Sequence, residues 1–203
     1  IHSPTFVGGV DIDTAQFVFT AGSALFNGTS GTISFLDHSN WDIFKNLKTD
    51  QTVHFWVKHT DHAGTETYIA QSQDASNYWQ IDHADGSGIR FTVVLAASTV
   101  ISTSFAGEIT DTNWHHIALI KVGSESSLGA EYGLYLDGAQ ISYVRDNSIV
   151  DLTGLLYLGS NGLGSNYFDG NMDVVVFQPD NTVFAGAPTV GVTDSITVPV
   201  AEP

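Results

Sequence analysis

The chain has 203 residues, 22 acidic against 6 basic, a formal net charge of -16, 20 glycines and no cysteine. So few cations exclude the broad basic face that nucleic acid or an anionic membrane surface requires. The missing cysteine excludes disulfides, thiol catalysis and any cysteine-held metal.

A hydrophobic fraction of 42% separates the chain from acidic disordered tails. Its length suits one large β domain or two small ones. No run approaches the ~20 apolar residues of a membrane span. The chain opens on Ile1 without a leader-like apolar region, as expected of a processed product or a piece of something larger.

Period-two alternation dominates and predicts strands over 16–20, 23–26, 32–36, 52–59, 66–73, 78–82, 88–95 and 100–105. Further strands follow over 115–122, 132–136, 139–144, 155–158 and 172–177. Between them stand Asn27-Gly28, Asp85-Gly86, Asp137-Gly138, Ser160-Asn161-Gly162 and Asp169-Gly170, the dipeptides of tight reversals. About a dozen short strands with frequent turns predict an all-β, antiparallel two-sheet sandwich or jelly roll. Residues 1–179 are expected to form that domain. The rest, 180–203, carries Pro188, Pro199 and Pro203 and is expected to be extended, as an edge strand at 195–198 or a linker.

The residues with candidate chemistry are the carboxylates, histidines and serines. The five glutamates (Glu66, Glu108, Glu125, Glu131, Glu202) are scattered, without the strand-borne pair that glycoside hydrolysis uses. Asp82 and Asp85 are neighbours, but Asp85 precedes Gly86 and reads as a turn residue. No Gly-x-Ser-x-Gly elbow occurs, so no catalytic residue is expected. Of the eight histidines, His54, His59 and His62 lie close in sequence. His59-Thr60-Asp61-His62 would make a surface zinc site by loop closure, but lacks a fourth ligand. His115 and His116 point to opposite strand faces and cannot share an ion without a bulge.

Sugar recognition needs aromatic platforms and fixed polar groups. Alternation puts Phe55 and Val57 on one face, and His54, Trp56 and Lys58 on the other. Tyr78 and Gln80 share a face opposite Trp79 and Ile81; Tyr135 opposes Leu134 and Leu136. The segment 159–167 adds Asn161, Asn166 and Tyr167 on a rim connection. Against this stands the commoner role of sandwich aromatics, packing.

Ordered motifs run across the chain: Gly22-Ser23-Ala24-Leu25-Phe26-Asn27-Gly28, Val53-His54-Phe55-Trp56-Val57-Lys58, Trp114-His115-His116-Ile117-Ala118, Leu134-Tyr135-Leu136-Asp137-Gly138 and Phe168-Asp169-Gly170-Asn171-Met172-Asp173-Val174-Val175. In order and spacing they resemble the concanavalin A-like, laminin-G-type domain, especially modules of secreted bacterial proteins and of phage or virus surface proteins. Phe26-Asn27-Gly28 stands where that family has Phe-Asp-Gly, and Met172-Asp173-Val174-Val175 where it has Ile-Asp-Glu-Val.

The resemblance implies a jelly roll with Trp41 and Trp114 in packing roles. It implies a structural calcium held by Asp173 with Asn27 and Gly28, and Asp11 or Asp13 contributing. The alternative for Asp173 is a turn-capping role. The implied function is a non-catalytic carbohydrate-binding module of an extracellular or virion protein, with polysaccharide or glycan as partner. A structural or adhesion domain without sugar binding is the alternative, and a glycoside hydrolase a third.

Overall fold

A computed structural model describes residues 2–19, 21–125, 127–181, 183–189, 191 and 194–201. Among them fourteen strands form two seven-stranded antiparallel sheets. The front sheet runs β1 (Thr5–Val7), β4 (Thr32–Phe35), β13 (Leu155–Leu158), β6 (Thr65–Asp74), β7 (Asn77–Ala84), β8 (Gly88–Leu95), β9 (Ser98–Ser102). The back sheet runs β12 (Ala139–Asp146), β11 (Ala130–Leu136), β10 (His115–Val122), β5 (Gln51–His59), β14 (Asp169–Gln178), β3 (Ser23–Asn27), β2 (Val10–Asp13). The all-β, two-sheet jelly roll expected from the sequence is what the chain forms. A one-turn 3-10 helix at Ser39–Trp41 is its only helical element among the described residues.

The alternating apolar positions meet between the sheets. Trp79, Ile81, Phe91 and Val93 of the front sheet join Val53, Phe55, Val57, Ile117 and Leu119 of the back sheet in one core. A side chain of this kind stabilises by about 1.5–3 kcal/mol when fully buried, so the pattern fixes the register. Trp41 is buried in this core as expected, while Trp114 is half-buried. The Asp137-Gly138 reversal also forms as read, with φ of 49° and 85°, joining β11 to β12.

Two segments differ from expectation. No strand forms over 16–19; strands form earlier, at β1 and β2. The reason is local: the Asp13 carboxylate accepts the Ala15 and Gln16 N–H groups at 2.8 and 3.2 Å, a turn that ends β2. The chain then crosses the outside of the back sheet, where Phe19 meets the Trp56 ring edge-on at 6.1 Å between centroids.

The C-terminal segment folds over the same outer face further along. Phe184 and Ala187 pack with Ala118, Ile120 and Tyr135. The edge strand expected at 195–198 reduces to a bridge between Ala139 and Ser195, with the Ile196 N–H donating to Gly138 O at 2.8 Å. A Cβ on Gly138 would lie 2.6 Å from Ile196 O, so this crossing needs the glycine.

Candidate functional site

Strand pairing places polar and aromatic side chains in rows on the outer face of the front sheet. One row runs across six strands as Ser34, Tyr157, Ala70, Gln80, Thr92 and Ser102. The next runs Leu155, Ser72, Tyr78, Val94 and Thr99. A third brings Thr67, Asp82 and Arg90 together. These residues face outward because their neighbours Leu156, Leu158, Ile69, Trp79, Ile81, Phe91 and Val93 fill the core.

Asp82 is the charged centre of this face. Arg90 grips it twice, Nε donating to Oδ1 at 3.2 Å and Nη2 to Oδ2 at 2.6 Å, and the guanidinium stacks 4.4 Å from the Phe105 ring centre. Burial pushes the Asp82 carboxyl above its ordinary value, and the Arg90 hydrogen bonds oppose that shift. Tyr78, Tyr157, Arg90 and Phe105 are half-buried and reach solvent. Between them Thr67 Oγ1, Ser72 Oγ and Thr92 Oγ1 are buried without a hydrogen-bond partner. Each such hydroxyl is an unmet polar demand of about 1–3 kcal/mol.

The candidate sugar-binding residues divide between the two sheets. Tyr78 and Gln80 lie in the front rows. Asn161, Asn166 and Tyr167 lie in the connection from β13 to β14, which packs down on the same side: a Cβ on Gly162 would come within 2.3 Å of the Tyr157 ring. Asn161 is spent inside that loop, Oδ1 accepting from Leu163 and Ser165 N–H groups. Asn166 offers its backbone carbonyl to Thr67 at 2.8 Å.

Trp56, His54 and Tyr135 belong to the back sheet, and there the expectation of an open platform needs correction. His54 and Tyr135 are fully buried under the C-terminal segment, with Phe184 edge-on to His54 at 5.4 Å and the Tyr135 hydroxyl bonded to Asp194 at 3.1 Å. Trp56 is wedged between Phe19 and His116, and its Nε1 is buried. Burial holds His54 near pKa 4 and His116 near 3. Tyr157, Arg90 and Phe105 are not sequence candidates, and Asp82 enters the sequence reading only as a carboxylate beside Asp85, not as a sugar-binding residue. Tyr157 carried a usable signal, an aromatic between Leu156 and Leu158, the same alternation that marked Tyr135.

The residues expected to hold calcium are each turned toward protein donors. Asp173 accepts the Val18 N–H on Oδ2 at 2.8 Å and the Val174 N–H on Oδ1 at 2.9 Å. Asp13 Oδ2 accepts from Asn171 Nδ2. Asn27 Oδ1 accepts three successive backbone N–H groups, from Thr29, Ser30 and Gly31. Asp11 is exposed and turned to the Ile12 N–H, and Gly28 donates its own N–H to Phe168 O. Oxygens turned toward N–H donors are caps and tethers, a donor set that does not fit the 6–8 oxygens of a calcium cage.

The residues proposed for a surface zinc loop stay close but differ in burial, the His59 and His62 rings lying 5.7 Å apart between centroids. His62 stays half-buried at the rim, while His59 turns into the end of the sandwich beside Glu66 and His83, all three buried. Among the described residues this is the group of three or more His, Asp or Glu side chains whose ligand atoms lie within 4.8 Å of one another. Burial holds both imidazoles near pKa 4 and lifts the Glu66 carboxyl to about 8. Distance in sequence hid the group: its members sit on β5, β6 and β7.

Comparison with solved structures returns the same fold at low identity. Domain 4 of AbnA, an extracellular GH43 arabinanase from Geobacillus stearothermophilus solved with arabinotriose, superposes with a TM-score of 0.62 at 14% identity, covering 97% of this chain and 84% of that one. The binding domain of botulinum neurotoxin DC, in a complex named with SialylT, gives 0.58 at 13%, covering 84% of this chain. A botulinum neurotoxin C structure, described as entering cells through two ganglioside molecules, gives 0.56 at 16%. The chain spans about two fifths of the length of those toxin domains, 40% and 41%. No curated protein matches it. A family model covers residues 27–180, and with it the two sheets from β4 to β14. The chain therefore belongs to the concanavalin A-like lectin/glucanases superfamily.

Proposed function

We propose that this protein is a non-catalytic carbohydrate-binding module whose recognition surface is the outer face of the front sheet. The observation that carries the reading is the combination of half-buried Tyr157 and Tyr78 with Gln80 and the Asp82–Arg90 pair, set above three unpaired buried hydroxyls. Tyrosine rings suit the apolar face of a pyranose or furanose, and the half-buried Arg90 guanidinium, anchored on buried Asp82, offers donors to ring hydroxyls. A net charge of -16 favours neutral sugars over uronates or sulfated glycans. Such a module belongs outside the cell, on a secreted protein or a virion surface.

The non-catalytic reading rests on Asp82, whose two oxygens are both held by Arg90. A hydrolase instead needs one carboxyl free to give up a proton and a second ~5–9.5 Å away. The test is binding of neutral oligosaccharides, α-arabinan fragments and β-glucans among them, followed by calorimetry and by product analysis. Saturable binding without turnover, weakened in Tyr157→Ala and Arg90→Ala, is the expected result. Failure to bind any glycan hands the fold to the adhesion reading, and released sugar returns it to the hydrolases.

A further inference from the structure

The buried group at the end of the sandwich is built unlike an ordinary hydrogen-bond network. His59 Nε2 lies 2.8 Å from the Tyr68 hydroxyl, and Glu66 Oε1 accepts the Asp169 N–H at 2.7 Å. Those two contacts leave His59 Nδ1 and Glu66 Oε2 facing each other 2.9 Å apart, yet the two atoms are misaligned and neither has a hydrogen-bond partner. His83 completes the group. It is fully buried, and neither of its ring nitrogens has a partner. Glu108 closes the open side, Oε1 lying 3.5 Å from His83 Nε2 and Oε2 buried and unpaired.

Orphaned ligand atoms from three strands, turned toward a shared centre, are what a bound cation leaves behind in the design of a site. We propose that His59, Glu66 and His83 bind one zinc ion, with Glu108 at the fourth corner. Two imidazoles and a carboxylate form a zinc-type donor set. Zinc bonds of ~2.0–2.2 Å put tetrahedral corners roughly 3.4 Å apart. The 2.9 Å between His59 Nδ1 and Glu66 Oε2 opens to that value by a small rotation, and the ligand atoms of His59, Glu66 and His83 already lie within 4.8 Å of one another. Tyr68 and the Asp169 N–H serve as the outer shell, fixing which nitrogen of His59 and which oxygen of Glu66 face the ion. Two carboxylates balance the charge of the ion, which makes its burial tolerable. The rim turn 60–64, bearing Asp61 and His62, lies beside the group, its His62 ring 5.7 Å from that of His59.

The experiment is zinc binding by the whole chain after chelator treatment, read by native mass spectrometry and, with cobalt(II), by its visible spectrum. One equivalent of zinc and a four-coordinate cobalt spectrum are expected. Glu66→Gln and His83→Gln should weaken binding by about 100-fold or more, and Tyr68→Phe by about 10–100-fold. His62→Ala should leave the cobalt spectrum unchanged. A wild-type chain that takes up no zinc at stoichiometric concentration overturns the proposal, as does uptake that persists in both ligand variants. If those variants do not fold, hydrogen exchange of the wild-type chain decides. Zinc-induced protection at the end of β5 and the start of β6 supports the site. Protection confined to the surface histidines, His2 beside His38 and His115 between Asp111 and Asp137, overturns it.

Discussion

The two outer faces of this sandwich begin from the same sequence signal and end in different environments. On the front sheet Tyr78, Gln80, Asp82 and Tyr157 alternate with core residues and remain the surface of the molecule, or one side chain below it. On the back sheet His54, Trp56, His116 and Tyr135 alternate in the same way, yet Phe19 and Phe184 arrive from segments outside the β core and cover them. A period of two separates core from not-core and stops there. Whether the outward set meets water or a second layer depends on segments that carry almost no pattern of their own.

Removing the cover should give the largest effect. Phe184 is only 3% exposed within a small satellite cluster, so Phe184→Ala should cost about 3 kcal/mol in urea unfolding. It should also let His54 and His116 titrate closer to an ordinary imidazole, as followed by NMR. A loss below about 1 kcal/mol, with both histidines unmoved, would mean that the C-terminal segment does not seal the back face.

Acid should break the same layer without a mutation. His54 and His116 sit 3.3 Å apart, with folded pKa values of about 4 and about 3 against 6.5 in the open chain. Below pH 6.5 the unfolded chain takes up protons that the folded chain refuses, so stability falls as pH drops toward 4. The slope approaches ~1.4 kcal/mol per pH unit for each histidine, or on the order of 2–3 kcal/mol apiece across the window. In the metal-free protein Glu66 works in the opposite direction: its carboxyl holds a proton in the fold up to about pH 8, so its contribution is lost as pH rises from 4.5. Denaturant midpoints at pH 7 and pH 5 should therefore differ, and His54→Leu should flatten the difference. An unchanged slope in that variant would place the acid sensitivity elsewhere.

A matched pair of tyrosines then sharpens the contrast between the faces. Tyr157→Ala on the front should weaken oligosaccharide binding by about tenfold, ~1.4 kcal/mol, while moving stability by under about 1 kcal/mol. Tyr135→Ala on the back should do the reverse, because its ring is buried and its hydroxyl tied to Asp194. Equal losses of binding from both would break the assignment of the sugar to the front face.

What was legible in the sequence follows from how each feature is encoded. The core strands and the Asp137-Gly138 turn are local patterns, and their positions emerged within a few residues. The N-terminal strands were not legible, because β1 is exposed throughout and β2 over half its length, leaving little apolar alternation to detect. Tyr78 and Gln80 could be paired on one face from β7 alone. Their partners Tyr157, Thr92 and Arg90 come from other strands, and only the register brings them together. The His59–Glu66–His83 group shows the same limit: proximity in sequence pointed to His62, whereas the fold supplied His83 from a strand away.

The smallest expected effect concerns calcium on the back sheet. Asp173 and Asp13 sit where the N-terminal segment crosses that face, and each behaves as a tether: Asp173 draws down the Val18 N–H, and Asp13 reaches Asn171, which also donates to Ser23. Carboxylates already engaged by N–H donors gain little from a cation where binding would have to strip those donors away and leave them unpaired. Adding millimolar calcium to chelator-treated protein should therefore move Tm by less than about 1 °C, since stabilisation by a ligand scales with its concentration over Kd. A rise of several degrees that disappears in Asp173→Ala would instead mean that the N-terminal crossing rearranges to form a cage. The back face would then be held by an ion as well as by the aromatic rings of Phe19 and Phe184.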